Sequence, residues 1–132
     1  MSQRSGTAEL LALGISHKTA PVAVRERVAL TEAGARDLLK DLVSGEEIDE
    51  AVAISTCNRT EVYMVVSDPV GAEAELLGHL AGRAGIRPTE LAAAAYSPRN
   101  CDAARQLYRV AAGLESMIVG EAEVQGLSLI HI

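Results

Sequence analysis

Two apolar runs with a short polar connection between them form the stretch EAVAISTCNRTEVYMVVS, residues 50–67. EAVAIS and EVYMVVS each have the apolar, β-branched character of a strand, and about five polar residues separate them. This pattern predicts a hairpin or a tight strand-to-strand link. Cys57 lies in the middle of the link, although a structural cysteine usually behaves as a small hydrophobic residue and is buried.

Outward from this pair, the chain alternates between strand and helix patterns. ELLALGI at 9–15 predicts a buried strand, and Pro21 suits the first turn of a short helix that runs to Leu30. Thr31 is a natural N-cap for the next helix. After the two strands, residues 71–86 predict a helix whose buried face is formed by Leu76, Leu77, Leu80 and Ala84.

The C-terminal third predicts one more strand and one more helix. AAAAY at 92–96 is ambiguous, but turn signals on both sides of it favour a strand. Asn100 can cap a helix at 101–114, in which Ala104, Leu107, Tyr108 and Ala111 have the spacing of a packed stripe. The order of elements predicts an α+β domain with a split βαβ (ferredoxin-like) arrangement: a mainly antiparallel sheet with helices packed on it.

Composition excludes several functions. A chain of 132 residues suits one domain, and 48% hydrophobic residues argue against disorder. Aromatic residues make up only 2% and the net charge is −6, which argues against a base-stacking nucleic-acid surface. Lys18, Arg25 and Arg27 form a local basic patch, which we interpret as a solvated helix face.

The cysteines and histidines also limit the possibilities. Two cysteines do not make a disulfide framework, and the polar N-terminus lacks a secretory signal, so we expect a reducing cytoplasm. No apolar run is long enough to span a membrane, and the three histidines are scattered without metal-ligand spacing. No GxGxxG motif follows a strand, so the chain has no dinucleotide-binding fingerprint of its own.

From spacing alone, the role of Cys57 stays open. Arg59 could lower the pKa of the thiol, Thr56 and Asn58 could donate hydrogen bonds, and His17 is the best placed of the histidines to act as a base. The alternatives are a non-catalytic α+β binding module with an incidental surface thiol and a thiol redox protein. The second lacks a CxxC arrangement, and we expect Cys101 to be a half-buried helix residue.

Three stretches together carry a family resemblance. The chain resembles the N-terminal catalytic domain of the glutamyl-tRNA reductases in three stretches, which come in the family's order and at its approximate spacing: GISHKTAP, STCNRTEVY and LYRVAAGLESMIVGE. The resemblance implies that residues 1–126 form this domain. It also implies that residues 127–132 are an atypical tail, with Leu127 where the family has a glutamine, and that the NADPH-binding and dimerisation domains are absent.

The resemblance implies a reaction. The family reduces glutamyl-tRNA(Glu) to glutamate-1-semialdehyde with NADPH, the first step of tetrapyrrole (porphyrin) biosynthesis, through a thioester on the residue that matches Cys57. This chain would carry out at most the acyl-transfer half. NADPH would bind to a domain absent from the chain, the parent enzyme would be a homodimer, and its product could pass to the aminomutase of the next step.

The resemblance also implies site residues. Cys57 would be the nucleophile, and Gln106 would occupy a second catalytic position. The family typically has a histidine at the position of Gln106, and glutamine cannot shuttle a proton at neutral pH. GISHKTAP would be a loop that shapes the site. The substrate-binding residues would be Thr56, Asn58, Arg59, Ser116, Glu121, Ala122 and Glu123.

Overall fold

An antiparallel sheet organises the molecule. The computed structural model describes residues 8–45, 47–113 and 128–131. The strands are β1 (Glu9–Ser16), β2 (Ile48–Ser55), β3 (Arg59–Val66) and β4 (Ser128–His131), in the spatial order β1–β3–β2–β4. Because β1 and β2 both pair antiparallel with β3, they run in the same direction with β3 between them. This is the predicted split βαβ arrangement, and the predicted α+β class is confirmed.

The strand register determines which residues meet at the end of the sheet. Ser16 of β1 lies opposite Arg59, and Ser55 of β2 lies opposite Thr60. The final residues of β1 and β2 and the first residues of β3 therefore meet at one end, here called the cysteine end. The connection between β2 and β3, Thr56–Asn58, lies there.

Five helices complete the described fold. They are α1 (Val22–Val28), α2 (Glu32–Val43), α3 (Pro69–Ala84), α4 (Pro88–Ala94) and α5 (Cys101–Ala111). The predicted cap at Thr31 is confirmed, because its hydroxyl accepts a hydrogen bond from the amide of Gly34. Gly85 ends α3 with a φ of 69°, a conformation that glycine adopts without strain. Within the described ranges, no helix has the length and apolar content needed to cross a membrane.

The two faces of the sheet are covered unequally. Leu11, Leu13 and Ile15 of β1 point to one face, and Ala12 points to the other, as the two-residue period of a strand requires. On the first face, side chains from α1 to α4 pack against the sheet and form the large core. On the second face, α5 packs through Ala103 and Val110 and forms the small core; its other buried members are Ala12, Ile54 and Tyr63.

The expected strand at 92–96 is wrong. Its first three alanines, Ala92 to Ala94, belong to α4, which begins with Pro88 and buries Leu91. Proline in the first turn and a run of alanines both favour a helix. The chain then turns back along the outer edge of β1, where Tyr96 and Arg99 form isolated antiparallel bridges with Gly14 and Leu11. The residues after the alanine run, rather than the run itself, therefore accompany β1.

The predicted buried stripe of α5 is also wrong. Leu107 and Tyr108 are exposed, and the buried residues of the helix are Ala103 and Val110. Gln106 lies between these two on the inward side. Asn100 precedes the helix but does not cap it with its side chain, whose Oδ1 accepts from the Leu10 amide instead. Cys101, expected to be half-buried, is exposed.

Candidate active site

The connection between β2 and β3 is held by hydrogen bonds at several points. The Thr56 amide donates to the Arg59 carbonyl (2.8 Å), and the Asn58 amide donates to Thr56 Oγ1 (3.2 Å). The Asn58 carbonyl accepts from the His17 amide (2.9 Å), which ties the connection to the residue after β1. Cys57 is exposed at this position and forms no disulfide. The thiol is thus accessible on a backbone that is fixed by its neighbours.

The side chain of Asn58 is held by a hydrogen bond from an arginine. This side chain is buried, and its Oδ1 accepts from Nη1 of Arg25 at 3.4 Å. The expectation that Arg25 belongs to a solvated face is wrong, because only 9% of this residue is exposed. Lys18 and Arg27 are exposed, as expected of solvated residues. One cation of the predicted patch therefore lies inside the protein, against the Cys57 connection.

A buried carboxylate joins the strand to two other elements. Glu61 is 0% exposed and lies on the second face of the sheet, two residues after Arg59. Its Oε2 accepts from Arg59 Nη1 (3.3 Å), Gln106 Nε2 (2.9 Å) and the Tyr96 hydroxyl (2.5 Å), and its Oε1 accepts from the Tyr63 hydroxyl (2.7 Å). Buried charges in proteins require this kind of partner set. Glu61 therefore fixes the positions of Arg59 and Gln106 relative to each other.

The two tyrosines that bind Glu61 are held in their neutral form. Burial raises the pKa of both phenols well above the ordinary value, and the negative charge of Glu61 raises each further. Arg59 opposes this shift in both cases but does not cancel it. Tyr63 and Tyr96 therefore act as hydrogen-bond donors to the carboxylate over the whole physiological pH range.

Gly14 leaves the space that Glu61 occupies. The two residues are opposite each other in the β1–β3 register, and a Cβ on Gly14 would lie 2.7 Å from Glu61 Cγ and 2.8 Å from the Thr60 carbonyl oxygen. On the other side, Gly14 exchanges two backbone hydrogen bonds with Tyr96. The glycine of the GISHKTAP stretch thus permits the close approach of β1, the carboxylate and the Tyr96 segment.

A cavity of about 500 Å³ opens beside this network. The loop after β1, the segment after α4 and the inward side of α5 contribute to its wall; its lining residues are Ser16, Lys18, Thr19, Tyr96, Ser97, Pro98 and Gln106. Tyr96 and Gln106 both donate to Glu61, so the cavity wall and the carboxylate form one continuous group of contacts. Its size suits a small polar molecule or the end of a larger one.

The structure brings together part of the predicted site. Thr56, Cys57, Asn58 and Arg59 are adjacent at the cysteine end, and Gln106 is connected to them through Glu61. The other predicted residues lie outside the described part of the chain; they are Ser116, Glu121, Ala122 and Glu123.

Three residues of the site were missed by sequence reasoning: Arg25, Glu61 and Tyr96. For Glu61 a signal existed, because a carboxylate in the apolar strand TEVYMVV, two residues before a tyrosine, points to the same face as that tyrosine. For Arg25 and Tyr96 the local sequence held no comparable signal.

Comparisons with known proteins agree on one family. Residues 13–127 match the family described as "Glutamyl-tRNAGlu reductase, N-terminal domain". The glutamyl-tRNA reductase of Rubrobacter xylanophilus is 47% identical over 113 residues, which are 86% of this chain and 26% of that protein. The glutamyl-tRNA reductase of Chromohalobacter salexigens is 48% identical over 117 residues, which are 89% of this chain and 27% of that protein.

A solved structure agrees with the sequence relatives. The glutamyl-tRNA reductase from Methanopyrus kandleri superposes with a TM-score of 0.64 at 36% identity, covering 87% of this chain and 25% of that one. The chain therefore spans about a quarter of the length of the proteins that it matches.

Proposed function

This chain belongs to the glutamyl-tRNA reductase family, whose N-terminal domain it matches, and from that membership we propose that it performs the acyl-transfer half of the reduction of glutamyl-tRNA(Glu) in tetrapyrrole biosynthesis. The observation that carries the proposal is Cys57, an exposed thiol on a connection that is hydrogen-bonded to the residue after β1 and to α1. A nucleophile on a rigid support reacts with a positioned substrate at little entropic cost.

The proposed step is a transfer of glutamate from oxygen to sulfur. The thiolate of Cys57 attacks the ester carbonyl that joins glutamate to the terminal ribose of the tRNA. The new C–S bond forms, the C–O bond to the ribose breaks, and the ribose oxygen leaves and takes a proton from water. The product is a glutamyl thioester, a form of the acyl group that accepts a hydride more readily than a carboxylate does.

Arg59 and its neighbours are the proposed substrate-binding groups. Glu61 accepts a hydrogen bond from Nη1 of Arg59, and we propose that the Arg59 guanidinium binds a substrate carboxylate. Thr56 and Asn58 are proposed to orient the substrate next to the thiol. Gln106 donates to Glu61 through Nε2, and its Oε1 is suited to orient the substrate amine or a water.

The residues predicted after α5 complete the proposed pocket. Ser116, Ala122 and Glu123 are proposed to line it, and Glu121 is proposed to accept a hydrogen bond from the substrate ammonium. These assignments rest on the family motifs in which the residues stand.

The described residues do not fit NADPH. The β1–α1 connection runs through Lys18, Thr19, Ala20 and Pro21 without a glycine, so no backbone cradle for a pyrophosphate exists there. The β3–α3 connection is only Ser67 and Asp68. We therefore assign no hydride-transfer role to this part of the chain. In the proposed enzyme the hydride comes from NADPH bound by other residues.

The proposed partners follow from the same membership. The substrate is a charged tRNA, the parent enzyme is a homodimer, and the aldehyde product passes to an aminomutase. Because its net charge is −6, this domain has no overall positive potential that would attract tRNA. Other parts of the enzyme are therefore proposed to supply most of the affinity for tRNA. We place the reaction in the cytoplasm, since neither thiol forms a disulfide.

A trapping experiment tests the proposal. The chain is incubated with tRNA charged with labelled glutamate, without NADPH, and label on the protein is measured after an acid quench. Cys57→Ser and Cys101→Ser provide a matched pair, because both thiols are exposed and only one has the supported position. We expect label that hydroxylamine removes and that only Cys57→Ser abolishes.

The opposite result would favour the non-catalytic alternative. If the folded chain carries no label, or if Cys57→Ser and Cys101→Ser lose label equally, the proposed acyl transfer at Cys57 is wrong. The chain would then be an α+β binding module with an incidental thiol.

A further inference from the structure

Arg25 is the only residue of α1 besides Val28 that is buried, although its neighbours on the helix are solvated. Its side chain extends under the connection between β2 and β3, where Nη1 lies 3.4 Å from Asn58 Oδ1. Asn58 is the residue directly after Cys57. An arginine that served only solubility would point outward, as Arg27 of the same helix does.

Within residues 8–45, 47–113 and 128–131, no carboxylate compensates the charge of Arg25. Among the described residues, no aspartate or glutamate forms an ion pair with it, and its Nε is buried without a hydrogen-bond partner. Arg59, the other buried arginine nearby, has Glu61 at 3.3 Å. An uncompensated buried cation is costly, and a negative charge that forms close to it lowers that cost.

We propose that Arg25 is the positioning residue for Cys57: it holds the nucleophile's connection through Asn58 and supplies the unbalanced positive charge that stabilises the thiolate. The inference rests on the proposed function, because it gives Cys57 the role of nucleophile. It goes beyond that function by naming a residue on a different element that acts through Asn58. Electrostatic attraction works in both directions, so a thiolate at Cys57 also lowers the cost of burying Arg25.

Other charged groups face the same connection and must be separated from Arg25. They are His17 and Lys18 in the loop after β1, and Arg59 and Glu61 on β3. The charges of Arg59 and Glu61 largely offset each other, since the two side chains form a buried ion pair. Lys18 is exposed, so solvent screens its charge. Arg25 is therefore the group whose loss should change the field at the thiol most.

The test measures the thiol directly. In a Cys101→Ser background, the rate of alkylation of Cys57 by iodoacetamide is recorded against pH, which gives the midpoint of thiolate formation. The variants are Arg25→Gln, which removes the charge, and Arg25→Lys, which keeps it. Arg27→Gln is the matched control: the same change of charge on the same helix, at an exposed position. Circular dichroism and thermal unfolding establish that each variant is folded.

We expect a midpoint below the ordinary cysteine value of about 8.5 in the parent chain. Arg25→Gln should raise it by about one pH unit. Arg25→Lys should stay near the parent, and Arg27→Gln should leave it unchanged. A parent midpoint at about 8.5, or an Arg25→Gln variant that lowers the melting temperature without moving the midpoint, would overturn the proposal. If Arg25→Gln does not fold, the test rests on Arg25→Lys, which keeps the positive charge. A midpoint at the ordinary cysteine value in folded Arg25→Lys would then contradict the proposed effect of the charge.

The experiment also separates this inference from the proposed function. Alkylation needs no tRNA. If the midpoint of thiolate formation depends on Arg25 but the chain accepts no glutamate, the role proposed for Arg25 stands and the proposed acyl transfer is wrong. If Cys57 carries labelled glutamate but the midpoint does not change with Arg25, the acyl transfer stands and the role proposed for Arg25 is wrong.

Discussion

The two faces of the sheet are built from different chemistry. The large core joins aliphatic side chains from β1, β2 and β3 to those of α1 to α4. On the other face, the small core has one helix, α5, and beside it lies a buried carboxylate with four side-chain donors. The first face is held by apolar area and the second by hydrogen bonds whose partners must all be present. The difference separates a face whose stability depends on apolar burial from a face whose stability depends on a complete set of polar partners.

The largest effect is expected on the second face. Glu61→Ala removes the carboxylate that pairs with the buried Arg59 and accepts from two tyrosines. Breaking a buried ion pair in this way typically costs about 3 to 5 kcal/mol. Urea unfolding measures the free energy, and Glu32→Ala, which loses only an exposed pair with Arg36, is the control. A cost for Glu61→Ala below about 1 kcal/mol, the range of exposed pairs, would mean that the network does not support the fold.

The large core should respond in stability alone. Leu38 is 0% exposed, and Leu38→Ala should reduce the free energy of unfolding by about 3 kcal/mol through lost burial and a residual cavity. Under conditions where the variant is folded, the alkylation rate of Cys57 should equal that of the parent. Val70→Ala, at an exposed position of α3, should change neither quantity. An altered thiol reactivity in folded Leu38→Ala would show that the two faces are not separate.

Gly14→Ala tests how closely the second face is packed. The new methyl group would meet Glu61 Cγ and the Thr60 carbonyl oxygen, so β1 must move away from β3. Overpacking of this kind costs about 1 to 3 kcal/mol. Gly78→Ala, where a Cβ meets no atom within 4 Å, is the matched control and should not destabilise. Equal stability of the two variants would contradict the close approach at Gly14.

The smallest effect concerns the alkaline limit of stability. Because Tyr63 and Tyr96 have raised pKa values, the folded state keeps protons that the unfolded state loses above pH 10. Their contribution to stability is therefore complete below pH 10 and falls as pH rises further, by about 1.4 kcal/mol per pH unit for each tyrosine.

Tyr96→Phe should accordingly cost about 1 kcal/mol at neutral pH, through the lost hydrogen bond to Glu61, and make the alkaline decline less steep. Urea unfolding between pH 8 and 11.5 measures both. Tyr108→Phe, at a position 78% exposed, should reproduce the parent curve. If Tyr96→Phe gives the same slope as the parent, the phenol does not hold its proton in the fold.

What the sequence predicts correctly is the part governed by local periodicity. The hairpin, the strand at 9–15, the Thr31 cap and the long helix α3 follow from apolar spacing and from cap chemistry, and the structure has all of them. The stripe predicted for α5 is wrong because Leu107 and Tyr108 are apolar in sequence but exposed in the fold. The helix instead packs on the sheet through its smaller side chains, Ala103 and Val110, next to Gln106.

The site was less predictable because its contacts join distant parts of the chain. Glu61 meets Gln106 across 45 positions and Tyr96 across 35, and Arg25 meets Asn58 across 33. Local patterns cannot encode such pairings. A family resemblance placed Cys57 and its neighbours in the site, yet it did not indicate that a buried glutamate connects them to α5.

The hydrogen bond between the His17 amide and the Asn58 carbonyl has a consequence for motion. With the Thr56 amide also bonded to the Arg59 carbonyl, the Cys57 connection has no hinge of its own within the described contacts. The His17 amide proton should exchange with solvent only through rare openings that move the end of β1 away from the connection, and the Thr56 amide proton only through openings that separate β2 from β3. Heating should then return the thiol to the reactivity of an ordinary cysteine and unfold the sheet in a single transition, without a lower-temperature phase in which the site alone has unfolded.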